Sequence, residues 1–283
     1  MDAAREQEPL RALSMLLQQR KGIRLLDYKE RWLERRLLVR VKSTRCEDVS
    51  AYVKYVRQNP DEVNRLLEVL SINVSSFFRN PEVYAAIAGV VFEEWRSAAV
   101  SGARKLFRAW SCACAQGEEP YSLSMLWESW AAQAIPEEAR PVDLKITASD
   151  VDEEALSHGR TAEFDASVQR GLPAYAAAFF ESRGGKLVIR PAVKSRVQFV
   201  HENVLAPARR PRMDLVLCRN FLIFLDREGR DTMMRILDQA LVPGGFLVLG
   251  HAETAMESGS ARFAAVDPVR RIYRKIEDGV RLK

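Results

Sequence analysis

Two adjacent acids, Glu118 and Glu119, follow a turn of small residues, Ser111-Cys112-Ala113-Cys114-Ala115-Gln116-Gly117. Lys105 to Trp110 ahead of them has the apolar character of a strand. Behind them Leu123, Leu126 and Trp127 share one face of a helix. Strand, tight turn and helix is how an open α/β sheet builds a ligand crevice at the carboxyl end of its first strand. Small residues let a ligand approach the backbone, and acids bind a positive group there. Phosphate would call for bare N–H groups and a lysine at such a turn. A pair of glutamates suits an ammonium instead, such as the amino end of a methionine-derived cofactor.

A second acid site is Ala148-Ser149-Asp150-Val151-Asp152, at the end of another strand pattern. An acid just past the second strand of such a sheet is placed to accept both hydroxyls of a cofactor ribose. Asp150 lies 33 residues beyond Gly117, more than the usual ~20, so extra turns must fill the crossover. Asp152 reads as the cap of the next helix. Asp150 reads either as the ribose acid or as a second cap.

Strands alternating with helices must position these acids. Strand patterns cover Lys105–Trp110, Asp143–Ala148, Val197–Val200, Asp214–Cys218 and Phe246–Leu249, with a terminal one from Val269 to Ile276. Helical patterns cover Pro120–Ala134, Asp152–Gly159 and Arg227–Ala240, and Pro243-Gly244-Gly245 reads as a helix-to-strand turn. The rhythm predicts an α/β fold with a doubly wound, mainly parallel sheet. Residues 164–196 interrupt it with a helical piece (Ala174–Glu181), a turn at Arg183-Gly184-Gly185-Lys186 and a short strand (Leu187–Arg190), and read as a small inserted β subdomain.

The first seventy residues differ, with helical spacing throughout and no strand pattern. Leu13, Leu16 and Leu17 mark one helix, Trp32, Leu33, Arg36, Leu37 and Arg40 a second, and Val49, Tyr52, Val53 and Val56 a third. A fourth carries Val63, Leu66, Leu67 and Leu70 behind Asp61 as its cap. The expected division is residues 1–70 as an all-α domain, 71–104 as a linking segment that closes the site, and 105–283 as the α/β domain. Ten Lys/Arg against three acids lie between Arg20 and Arg45. That excess is either a solvated helix face or a docking surface for an acidic partner.

Composition excludes several classes. With 283 residues, 47% hydrophobic and 29% charged, one large domain plus a small one is the natural division. The longest apolar run, roughly Tyr84 to Phe92, is too short to cross a bilayer, and Met1 to Pro9 is too polar for a signal peptide. Cys46, Cys112, Cys114 and Cys218 lack zinc spacing, and the three histidines are scattered. A cytoplasmic location, reduced thiols and no metal are expected.

Six motifs in order resemble the CheR-type chemoreceptor glutamate methyltransferases. They are Asn73-Val74-Ser75-Ser76-Phe77-Phe78-Arg79, Gly117-Glu118-Glu119-Pro120-Tyr121-Ser122, Ser149-Asp150-Val151-Asp152, Glu202-Asn203-Val204, Cys218-Arg219-Asn220 and Gly250-His251-Ala252-Glu253. Gly22-Ile23, Tyr28-Lys29 and Arg35-Arg36-Leu37 in the helical unit are also similar to the family's. The resemblance implies a class I methyltransferase fold and S-adenosylmethionine as cofactor, with S-adenosylhomocysteine as product. It implies methyl transfer to glutamates in the cytoplasmic helical bundle of a chemoreceptor, docked through the basic N-terminal helices. It assigns Glu119 to the methionine ammonium, Asp150 to the ribose, and Asn203 and Val204 to the adenine. Arg219 and Asn220 would flank the cofactor, and Asn73, Ser75 and Arg79 would close the site. Arg79 is the clamp for the cofactor carboxylate or the incoming glutamate. Glu118 becomes a helix-start charge, Phe77 and Phe78 interdomain packing, and His251 structural.

Two departures from the family pattern stand out. Phe224 occupies a position where the family usually has Tyr. Losing one ordinary hydrogen bond costs roughly 0.5–1.5 kcal/mol. The turn at Arg183–Lys186 is compact where some members have a longer loop that binds a receptor's C-terminal tether, so a tether-independent enzyme is expected. Two other classes share features with this chain. One is a nucleic-acid methyltransferase using the basic helices on phosphates, against which no aromatic-flanked Asn/Asp-Pro-Pro motif is found. The other is a cofactor-binding sensing module with little or no catalysis, suggested by Phe224.

Overall fold

A computed structural model describes residues 2–70, 75–137, 142–206, 211–255 and 262–276, with side chains from residue 8 onward. Four helices open the chain: α1 (Asp2–Lys21), α2 (Glu30–Ser43), α3 (Val49–Gln58) and α4 (Glu62–Leu70). Their spaced apolar residues, among them Leu13, Leu17, Leu33, Leu37, Tyr52, Val56 and Leu66, form a core of their own. Asp48 caps α3 by accepting from Ala51 N. A 3-10 turn at Leu25–Asp27 joins α1 to α2.

The expected 71–104 link carries two helices, α5 (Pro81–Ala86) and α6 (Glu93–Val100), joined by a π-helical stretch at Ile87–Phe92. Phe92 and Trp95 pack against Phe107 and Trp127, fixing these helices on the sheet.

The sheet then builds up from β1 (Leu106–Cys112), α7 (Glu118–Ala134), β2 (Asp143–Asp150), α8 (Glu153–Thr161), β3 (Glu163–Asp165), β4 (Phe180–Arg183), β5 (Lys186–Ile189), α9 (Pro191–Lys194), β6 (Val197–His201), β7 (Met213–Cys218), α10 (Arg227–Ala240), β8 (Leu241–Leu249), β9 (Phe263–Asp267) and β10 (Ile272–Lys275). Seven strands run in the order β6-β2-β1-β7-β8-β10-β9. The first five are parallel, and β10 is antiparallel to both β8 and β9. β7 is buried at every residue, as expected of a parallel strand covered on both faces. β3, β5 and β4 form a separate antiparallel sheet, the inserted subdomain. The mainly parallel sheet, its small β insert and the all-α unit ahead of it are the architecture expected from the sequence.

Three local expectations are corrected. Pro243-Gly244-Gly245 lies inside β8, where pairing with β7 shifts register between Met213 and Leu215; the irregularity absorbs the turn residues within the strand. Ala174–Glu181 is not one helix: a 3-10 turn spans Ala174–Phe179, and Phe180 begins β4, where pairing with β5 overrides the local pattern. The terminal pattern from Val269 splits into a turn at 268–271 and β10, with β9 ahead of it.

The helical unit sits on the carboxyl ends of the sheet strands. Lys29 N donates to Phe224 O (2.9 Å) and Asp226 N to Asp27 O (3.0 Å). Gly229, in the first turn of α10, makes this fit possible: a Cβ there would lie 2.3 Å from the Asp27 carbonyl oxygen.

Candidate functional site

The chain leaves β1 towards β2 and β6, then returns to β7 on the other side of β1. This switch point opens a crevice beyond the strand ends. The turn after β1 is shaped for a close approach. Ala113 (φ 51°) and Ala115 (φ 49°) are left-handed, as is Gly117 (φ 95°). Such strained residues persist only where surrounding contacts hold them, and they cluster at functional sites. A Cβ on Gly117 would also lie 2.7 Å from the Phe199 ring.

The crevice has two adjoining halves. One, about 780 Å³, is bounded by Asp150, Asn203 and Val204 from the sheet domain and by Tyr28, Trp32 and Leu67 from the helical unit. The other, about 890 Å³, is bounded by Ser75, Arg79, Glu119 and Arg219. Ala113, Asn220 and Phe224 border both. The structure thus brings Ser75, Arg79, Glu119, Asp150, Asn203, Val204, Arg219, Asn220 and Phe224 to one place. Asn73 lies outside the described residues.

Asp150 is 7% exposed. Its carboxylate accepts from Ala115 N (2.9 Å) and from Asp152 N (3.0 Å), tying β2 to the strained turn. Burial pushes its pKa up, and the backbone N–H donors pull it back. Asp152 is the cap of α8, accepting from Glu154 N and Ala155 N, so Asp150 is not needed for that purpose.

Glu119 accepts from Ser111 Oγ (2.7 Å) and faces Arg219 Nη1 at 3.4 Å. Burial raises its pKa; Arg219, Ser111 and Arg79 oppose the rise. Glu118 is more than a helix-start charge. It is buried; burial raises its pKa and the Ser75 side chain opposes the rise. Its Oε2 has no partner among the described residues.

The closing segment is pinned from two sides. Phe78 N donates to Ser122 Oγ (2.8 Å), while Arg219 Nη2 donates to Arg79 O (2.7 Å) and Asn80 Oδ1 (2.9 Å). Phe77 packs on Phe164 and Phe180, and Phe78 on Tyr84 and Tyr175. These rings therefore bind the segment to the inserted subdomain and α5, not to the four-helix unit. His251 pairs with Glu82 at 3.1 Å on a half-exposed surface.

Asn203 is engaged at both ends of its amide. Nδ2 donates to Gly22 O (2.9 Å) and Oδ1 accepts from Leu205 N (3.0 Å). It joins the helical unit to the crevice and keeps one N–H and one lone pair.

Two contributions were not read from the sequence. The helical unit supplies part of the wall, through Tyr28 stacked on Trp32 at 5.4 Å and Trp32 against Phe224 at 5.4 Å. In the sequence Trp32 reads only as part of a helix face; no local spacing shows that this face meets a loop almost two hundred residues away. Glu253 is the other. Its buried carboxylate accepts from Asn220 N (2.9 Å), Gly250 N (2.6 Å) and Ile223 N (3.2 Å), holding the loop of Asn220 and Phe224. Glu253→Gln turns one acceptor into a donor facing these N–H groups. It is expected to lower stability by about 1–3 kcal/mol, read as the urea midpoint; an unchanged midpoint refutes this role.

Among the described residues no cluster of three or more His, Cys, Asp or Glu could hold a metal, and no helix is long and apolar enough to cross a membrane.

Comparison with known families gives two matches. Residues 8–71 match the all-alpha domain of CheR methyltransferases, and residues 73–269 their SAM binding domain. An uncharacterized 104.1 kDa protein of Rhodobacter capsulatus is 31% identical over 91% of this chain, which spans 26% of that protein's length. Chemotaxis protein methyltransferase 2 of Vibrio cholerae is 29% identical, over 83% of this chain and 82% of that protein. Chemotaxis protein methyltransferase 1 of Pseudomonas aeruginosa is 33% identical, over 66% of this chain and 68% of that protein.

Proposed function

Because the chain belongs to the CheR methyltransferase family, we propose that it transfers the methyl group of S-adenosylmethionine to glutamate carboxylates in the cytoplasmic helical bundle of a chemoreceptor, giving methyl esters. The observation that carries this reading is one crevice with an acid in each of its two halves, the buried Asp150 in one and the half-buried Glu119 in the other.

The donor set fits the cofactor. In this reading Asp150 takes the ribose hydroxyls, Glu119 the ammonium and Arg79 a carboxylate, while Asn203 and Val204 meet the adenine. Arg219 and Asn220 flank it, and Asn73 and Ser75 complete the closing segment. Glu118 Oε2 and Arg219 Nε are buried polar atoms of opposite character, each without a partner among the described residues. Arg219 also lines the half of the crevice that holds Glu119, where a ligand carboxylate can meet its guanidinium. No metal is needed. When bound, the cofactor supplies an electrophilic methyl on a sulfonium that is already an activated leaving group.

The protein's own task is then orientation. A glutamate with pKa near 4.3 is more than ~99% ionised at pH 7, so its attack needs no general base. Among the described residues, neither half of the crevice is lined by histidine. Holding nucleophile and electrophile in line is catalysis by positioning. Phe224 borders both halves, where its ring can pack against cofactor or substrate. Arg79, beside Glu119, offers a cation to an incoming carboxylate.

Substrate docking is assigned to α2, where Arg31 and Arg35 are exposed. The reading includes a cytoplasmic location and no nucleic-acid partner. The two-glycine hairpin between β4 and β5 supports independence from a receptor tether. Residues 1–70 act as the docking domain, 71–104 as the closing segment, and 105–283 as the methyltransferase domain with its insert at about 164–196.

The test is transfer of labelled methyl to receptor cytoplasmic fragments, with base lability distinguishing an ester from an N-methyl product. Phe224→Tyr is expected to change the rate by about an order of magnitude or less, the worth of one hydrogen bond. Cofactor binding without turnover on any of a receptor panel would point to a sensing module, and retention of nucleic acid in a gel shift at physiological salt to a nucleic-acid enzyme.

A further inference from the structure

We propose that Trp32 of the helical unit is a cofactor-binding residue, its indole N–H donating to an acceptor on the nucleoside portion of the ligand. The inference rests on the S-adenosylmethionine reading above. Trp32 Nε1 is shielded from solvent and has no hydrogen-bond partner among the described residues. A buried indole N–H is a donor only, and it ordinarily finds an acceptor. Trp32 borders the half of the crevice that holds Asp150 and Asn203, not the half that holds Glu119 and Arg219.

The ring is fixed from two sides, by Tyr28 stacked at 5.4 Å and by Phe224 at 5.4 Å. It therefore cannot turn its N–H out to water without breaking both contacts. Adenine ring nitrogens and ribose oxygens are acceptors of the required kind. The same geometry bears on Phe224, which has no hydroxyl to offer: the polar contact missing from that ring is supplied by its neighbour from the other domain. A consequence is that the helical unit helps hold the cofactor as well as docking substrate.

The experiment is titration of the full chain with S-adenosylhomocysteine, read by calorimetry and by tryptophan emission. Trp110 donates to Ser149 Oγ, and Trp95, Trp127 and Trp130 sit in the aromatic cluster beneath the sheet. Only Trp32 among the five borders the crevice. Wild type is expected to bind with a change in emission. Trp32→Phe keeps an aromatic ring between Tyr28 and Phe224 but not the indole N–H. It is expected to bind about 2- to 13-fold more weakly, as for one lost hydrogen bond, and to lose most of the emission change. Trp32→Met, which also keeps apolar contact with Phe224, serves if the first variant does not fold. Binding equal to wild type in either folded variant overturns the role of Trp32. Failure of the wild type to bind overturns the methyltransferase reading itself, and this inference with it.

Discussion

Replacing Asp150 with alanine is expected to weaken S-adenosylhomocysteine binding by about 3 kcal/mol or more, over 100-fold. In the proposed site the variant removes a charged acceptor for the two ribose hydroxyls. It also frees Ala115 N, which Asp150 holds at 2.9 Å in the turn after β1. Calorimetry on the folded variant decides, and unchanged affinity would remove Asp150 from the site. Glu119→Gln adds a pH signature. Burial raises the Glu119 pKa in the free protein, so protonation on acidification begins above the ordinary carboxylate range. A neutral Glu119 cannot pair with an ammonium, and ligand binding must expel the proton. Affinity is thus expected to fall as pH drops towards the raised pKa and to level off above it. Glu119→Gln should be weaker at neutral pH and lose the part of this slope that Glu119 contributes. A slope identical to wild type would assign the titration to another group.

What the sequence reveals depends on how local the cause is. α10 was legible to the residue, because Asp226 caps it by accepting from Gly229 N at 2.7 Å and a regular apolar face follows. The strands are legible in place but not to the residue: the sequence patterns stop at Trp110 and Ala148, whereas β1 runs to Cys112 and β2 to Asp150. The acids lie at the strand–turn–helix junctions, Asp150 closing β2 and Glu119 in the first turn of α7, so both could be placed beside a crevice from their position alone. The docking of the helical unit was not legible. It depends on Gly229 admitting the Asp27 carbonyl and on Lys29 N meeting Phe224 O, and neither contact leaves a periodic trace. Glu253 was missed as a positioning residue for the same reason, since its role is to collect N–H groups from Asn220 and Ile223, some thirty residues away. In the insert, local helical preference lost to pairing of β4 with β5.

The basic helix shows where a charge pattern conceals two different roles. Arg31, Arg35 and Arg40 read alike in the sequence, yet only Arg31 and Arg35 are exposed. Arg40 forms a bidentate pair with Glu62, Nε to Oε1 at 2.8 Å and Nη2 to Oε2 at 2.8 Å, and Tyr52 also donates to Oε1 at 2.8 Å. The Glu62 side chain is 1% exposed and that of Arg40 is 15% exposed. Removing the arginine leaves a buried carboxylate with one neutral donor, the situation in which breaking an ion pair costs about 3–5 kcal/mol. Arg40→Ala is expected near the lower end of that range, since Arg40 keeps some contact with water. The loss would appear as a lower urea midpoint at an unchanged slope. Arg40→Met with Glu62→Leu, which removes both charges and keeps apolar bulk, is expected to recover most of it. Arg31→Glu and Arg35→Glu should change stability by no more than about 0.5 kcal/mol. If α2 docks an acidic receptor bundle, they should instead raise KM for receptor and flatten its dependence on salt. Stability of Arg40→Ala equal to wild type would return this residue to the docking face; unchanged methylation kinetics in the other two at low salt would make that face a solvated surface.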